Sequence, residues 1–268
     1  MPLFKRLLIF ICLSIYLPQL QAIQNQLSID TVLMDFDYAE YSDANILLDE
    51  ENGALPGISL QLSLHNTTRR LLSRFQYFNG QVNYDGQTQG GIDFGTNSNE
   101  ILYSFSIKQF FKHDNEARLE WLLGIELWFW DRDILSRNNV QGLFEKYQWQ
   151  ELSAGLSMQI LQQQKQQAWL EAQLIQTLSP RMSIQLDQDF GTVTLGTNLG
   201  YRLRFIYQQA LSPQWHWQLQ AFVQYLEFGK SNRIAVDGFF GQSVVLVEPR
   251  SISRHRGLSI GLRYDFAL

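Results

Sequence analysis

A single cysteine, Cys12, occurs in 268 residues, and it lies in an apolar stretch near the N-terminus. That excludes a disulfide-stapled fold and a cysteine-based metal site. Positive charge is also scarce. Lys and Arg number 21 against 26 Asp and Glu, and no basic cluster occurs, which argues against a nucleic-acid partner. Beyond the N-terminal stretch there is no run of about 18 apolar residues. The nearest approach, 121–130, contains Glu126, so a helical membrane span is excluded as well. What the chain does have is 45% hydrophobic and 13% aromatic residues, enough to rule out a disordered or collagen-like polymer.

Residues 1–22 have the layout of a secretory signal peptide: Lys5 and Arg6, then an apolar run from Leu7 to Leu17, then a polar patch ending at Ala22. Export is expected, leaving 23–268 as one domain without cysteine. Loss of Lys5 and Arg6 takes the formal charge from -5 to 19 − 26 = −7.

The remaining chain alternates with period two. Ile58, Leu60, Leu62 and Leu64 are interleaved with Ser59, Gln61, Ser63 and His65, and the pattern returns from Leu119 to Phe129. Such segments are strands with one apolar and one polar face. They fall at 30–39, 57–66, 70–81, 100–111, 117–130, 148–160, 168–177, 195–208, 215–227 and 253–268, an even number. Connections alternate between short (67–69, 112–116, 161–167, 209–214) and long (40–56, 82–99, 131–147, 178–194, 228–252). Pro56, Pro180, Pro213 and Pro249 all fall outside these strands, as a hydrogen-bonded ladder requires. Trp121, Trp169, Trp215, Trp217, Tyr264 and Phe266 gather toward the short-turn ends; Tyr38, Phe129, Tyr147 and Tyr225 gather toward the long-loop ends. Two aromatic girdles around an aliphatic band describe a closed antiparallel transmembrane β-barrel of about ten strands.

At the C-terminus Leu258, Ile260, Leu262, Tyr264, Phe266 and Leu268 alternate to the last residue. In this the chain resembles Gram-negative outer-membrane β-barrel proteins, and in length and strand number it is similar to the omptin-sized barrels. The resemblance implies an outer-membrane location, extracellular long loops, periplasmic termini, contact with lipid and lipopolysaccharide, and recognition of the last strand by the barrel-assembly machinery. It does not carry the omptin catalytic pattern. Asp187 and Asp189 have an Asp-x-Asp spacing, but no Asp-x-His follows, and His65, His113 and His216 map to the short-turn end.

Opposite parity to the aliphatic positions gives the lumen. That set contains the acids Asp35, Asp37, Glu120, Glu126, Glu151, Glu171 and Asp265, and the bases Arg74, Lys108, Arg202, Arg204 and Arg263. A barrel of about ten strands is near the size that its own side chains fill. Opposite charges in neighbouring layers predict a plugged or narrow lumen, and hence a structural or narrow-pore surface protein. Two alternatives come from other classes. Ser253 and His255 with Asp37 form a nucleophile, base and orienter set for a membrane-embedded hydrolase. Long loops suit a receptor or adhesin. Arg254 and Arg256 have the lipid-facing parity at the loop end and suit lipid phosphates. Glu40, Asp43, Asp49, Glu50 and Glu51 read as a solvated acidic loop, and no spacing matches a calcium loop, so no metal or cofactor is expected.

Overall fold

In the computed structural model, residues 24–87, 93–112, 118–186, 189–237 and 243–267 are described. The expected leader at 1–22 lies outside them, as do Asp187, His113 and most of the turn expected at 112–116. Fourteen strands occur in chain order: β1 Gln24–Tyr41, β2 Leu47–His65, β3 Arg69–Gln87, β4 Asp93–Lys112, β5 Leu119–Ile134, β6 Leu143–Gln162, β7 Gln166–Leu186, β8 Asp189–Thr194, β9 Gly196–Thr197, β10 Leu199–Ala210, β11 Trp215–Gly229, β12 Ile234–Asp237, β13 Ser243–Leu246 and β14 Arg250–Phe266. Each long strand pairs antiparallel with its sequence neighbour, and β14 pairs with β1 from Asn25↔Phe266 to Tyr41↔Arg250, which closes the barrel. β8, β9 and β10 together make one wall position, so the barrel has ten strands. β12 and β13 form a separate hairpin.

A bilayer needs about 9–11 residues per tilted strand, yet β1 has 18 and β7 has 21. The excess lies at the long-loop end. Much of what the sequence assigns to loops is therefore strand: 47–55, 82–87, 93–99 and 143–147 continue their ladders. The connection 40–56 shrinks to 42–46, where Asn45 takes a left-handed φ of 60° to turn the chain. Pro56 and Pro180 correspondingly sit inside β2 and β7 rather than outside strands. Both fall at interruptions: the β2–β3 ladder breaks between Asn52 and Gly57, and the β6–β7 register shifts between Gln148 and Gln150. A missing N–H is tolerated there.

The extension explains a reversal of polarity along each wall. In the lower part of β1, Leu27, Ile29 and Leu33 face out and are more than half exposed, while Ser28 and Asp30 are buried inside. Above Leu33 the apolar residues are inside, as Met34, Phe36 and Tyr38, and the polar ones outside, as Asp35 and Asp37. The lower band is built for lipid, inside-out; the upper part is built as in a water-soluble barrel. Outward cross-strand aromatic pairs mark the edges of the band. Tyr103–Phe129 (4.9 Å) and Tyr201–Tyr225 (5.5 Å) lie at its upper edge, and Trp215–Tyr264 (4.9 Å) at its lower one. Tyr38 and Tyr147, expected in the upper girdle, are instead buried in the lumen.

Candidate functional site

The lumen is the one place where this wall gathers chemistry, and β5 shows how. Its inward positions read Glu120, Leu122, Gly124, Glu126, Trp128, Trp130 and Arg132, and the β5–β6 register sets Glu126 opposite Glu151, Trp128 opposite Trp149, Trp130 opposite Tyr147, and Arg132 opposite Glu145. The interior is therefore layered.

In the lipid-band half, Arg202 reaches across from β10. Its three nitrogens donate to Glu126 (2.8 Å), Glu151 (2.9 Å) and Gln224 (2.7 Å). Lys108 donates to Gln173 (3.1 Å), and Gly124 makes room for it, because a Cβ there would meet the Lys108 stem at 2.8 Å. Arg74 donates to Gln61 (2.7 Å), which with Gln218 donates in turn to Asp30. Near the short turns Arg70 pairs with Glu120 (2.7 Å) and Arg263 lies 3.0 Å from Asp265.

Above this comes an aromatic layer. Trp128 and Trp149 are stacked at 5.6 Å, Trp130 stacks on Tyr147 at 4.4 Å, and Phe36 and Tyr38 meet Trp130 edge-on. Phe78, Leu226 and Phe228 complete a cluster with almost no exposure.

The top layer, above the lipid band, centres on the buried Arg132. Its guanidinium donates to Glu145 (2.8 Å), Glu51 (3.0 Å), Glu40 (3.2 Å) and Asp49 (3.2 Å). Glu248, from the connection between β13 and β14, brings its carboxyl to 2.6 Å from the Tyr147 hydroxyl and 3.3 Å from that of Tyr38. Glu100 accepts from Ser98 and the Trp130 indole. One guanidinium cannot offset that many carboxylates in a dry interior, so the cluster holds shared protons. Burial, followed by the charge of Glu145, pushes Glu248 up to about 8, and burial raises Glu51 to about 8 despite Arg132 beside it.

Against this geometry the sequence-derived set divides. Arg74, Lys108, Glu120, Glu126, Glu151, Glu171, Arg202, Arg204, Arg263 and Asp265 are all buried in the lumen. Asp35 and Asp37 are not there: they face outward, paired across the β1–β14 seam with Arg256 (3.8 Å) and Arg254 (2.9 Å). The phase of apolar alternation switches between Leu33 and Met34, and parity carried over from the polar residues below misplaces them. The switch also dissolves the proposed triad. Ser253 and His255 do meet, with Oγ and Nε2 2.9 Å apart, but both are buried, His255 is stacked on Phe36, and Asp37 is on the other side of the wall. Glu40, Asp49 and Glu51, read as a solvated loop, are buried around Arg132, whereas Asp43 is exposed and paired with Lys230. The sequence reading missed Arg132, Glu145, Glu248 and the tryptophan stack. Counting on by twos from Glu126 would have reached Trp128, Trp130 and Arg132. Among the described residues no group of three His, Cys, Asp or Glu is arranged to hold a metal ion.

A closed, ten-strand, omptin-sized antiparallel barrel with an outward apolar band is the outer-membrane β-barrel fold. Superposition on one solved structure, an outer membrane protease, agrees. The outer membrane protease OmpT of Escherichia coli superposes with a TM-score of 0.62 over 92% of this chain and 97% of its own, at 11% identity. The translocator domain of the autotransporter NalP from Neisseria meningitidis matches with a TM-score of 0.47 at 9% identity, covering 98% and 96%. OprG of Pseudomonas aeruginosa matches with 0.40 at 8%, covering 92% and 98%. At such identities the likeness concerns the fold alone. No protein-family model and no curated protein matches the sequence.

Proposed function

We propose that the protein is an integral outer-membrane barrel with a closed lumen, a structural surface protein rather than a diffusion porin. One observation carries this reading. The Arg202 bridges to Glu126 and Glu151 lie directly beneath the Trp128–Trp149 stack, so a charged layer and an apolar layer close the interior in succession. An ion would have to break cross-lumen ion pairs and then pass a dry aromatic cluster, where an unpaired charge is strongly disfavoured. The outward apolar band supports residence in the outer membrane, with lipid as the partner around it and the alternating face of β14 as the segment offered to the assembly machinery. Arg254 and Arg256 already have carboxylate partners, which leaves them weak ligands for lipid phosphate. The buried Ser253 and His255, with no carboxylate on the imidazole, do not favour hydrolysis.

Purified barrel in planar bilayers tests the proposal. No steady conductance is expected from the wild type, and none from the double variant Arg202→Ala, Arg204→Ala, because the aromatic layer remains. A stable ohmic conductance in the wild type would make it a pore.

A further inference from the structure

Among the buried lumen donors without a hydrogen-bond partner are Nη1 of Arg204 and Nε1 of Trp128. Arg204 and Trp128 come from different strands, β10 and β5, and both residues line one cavity, together with Arg202, Gln76, Gln224 and His255. Its volume is about 10 Å³, room for one water-sized body. No carboxylate lines it. Arg202 is fully engaged with Glu126, Glu151 and Gln224, so its charge is offset, whereas Arg204 is 5% exposed and has no ion pair. Glu171, the Cα partner of Arg204 across the β7–β10 ladder, lines a separate cavity at the short-turn end, where it lies 3.9 Å from Arg70. The Trp128 ring beside the cavity is stacked on Trp149. A buried guanidinium without a counter-charge, beside an indole N–H without an acceptor, is costly twice over.

From this juxtaposition we infer that the cavity between Arg204 and Trp128 is a binding site for one small monoatomic anion, a halide such as chloride. A halide supplies the missing negative charge and accepts from both orphan donors. A halide is a single atom, only slightly wider than a water molecule, whereas phosphate or a carboxylate ligand is too large for the cavity. The site is separate from the question of conduction: an anion seated beneath the aromatic layer neutralises Arg204 whether or not ions pass.

Bromide makes the site visible. Barrel refolded in detergent and crystallised with bromide in place of chloride should show an anomalous peak within hydrogen-bonding reach of Arg204 Nη1 and Trp128 Nε1, and Arg204→Met should lose it. Water-like density without anomalous signal at that position, or a peak that persists in Arg204→Met, overturns the inference. Thermal unfolding gives a second reading should Arg204→Met fail to fold. Replacing gluconate by chloride at equal ionic strength should raise the wild-type midpoint, with a smaller rise in Trp128→Phe. Equal rises in the two proteins, or none in the wild type, would count against a halide site.

Discussion

At the scale of single residues, the account rests on how a charge is kept inside a barrel. Arg132 donates to four carboxylates at 3.2 Å or less. Removing it leaves Glu40, Asp49, Glu51 and Glu145 without a counter-charge, so Arg132→Ala should cost about 3–5 kcal/mol in urea-unfolding experiments. Glu248 makes the sign of the pH dependence testable. Its carboxyl is raised from 4.5 to about 8 by burial and by Glu145. The folded state therefore binds a proton the unfolded chain has released, and stability falls as pH rises from about 5 to about 8. Glu248→Gln should match the wild type at pH 5 and unfold at higher temperature than it at pH 8; equal pH profiles would remove Glu248 from the cluster. Legibility at this scale follows parity. Positions within the lipid band, such as Glu126, Arg202 and Arg263, can be assigned from alternation with their aliphatic neighbours. Arg132 lay in a stretch read as loop although the alternation carried on from Glu126 reaches it, whereas Glu248, in the connection between β13 and β14, could not be found that way.

At the scale of elements, the ten strands were legible because lipid demands an unbroken apolar face on every wall. Their lengths were not. Once a strand leaves the lipid its outer face turns polar and rich in Asn, Asp and Gln, as in Asn97, Asn99, Gln81 and Asp133, and its inner face turns first apolar and then, around Arg132, charged. The alternation persists with its phase reversed, which in sequence looks like a loop. The two halves should answer substitution oppositely. Ile260→Arg, outward in the lipid band, should cost about 2–4 kcal/mol, whereas Asp35→Arg, two-thirds of the way up β1 and exposed, should change stability little. Phe36→Ala, inward and fully buried, should cost about 3–5 kcal/mol by emptying the aromatic layer. Refolding and urea titration of the three variants orders them.

For the whole molecule, closure by β14 on β1 joins the first and last long strands of the wall around a lumen that is filled rather than hollow. An extracellular long-loop end predicts that proteinase K added to intact cells cuts within 42–46 and spares the turn at 163–165; cleavage at Lys165 alone would invert the topology. One continuous wall is inside-out in its lower part and the reverse above. Nitroxide labels on single cysteines along the outer face of β1, placed in a Cys12→Ser background, test it most directly. Labels at Ile29, Thr31 and Leu33 should be reached by oxygen from the lipid, and labels at Asp35 and Asp37 by a water-soluble nickel complex, with the change falling between Leu33 and Asp35. Labels at Asp35 and Asp37 that neither reagent reaches would put those residues in the lumen and contradict the account.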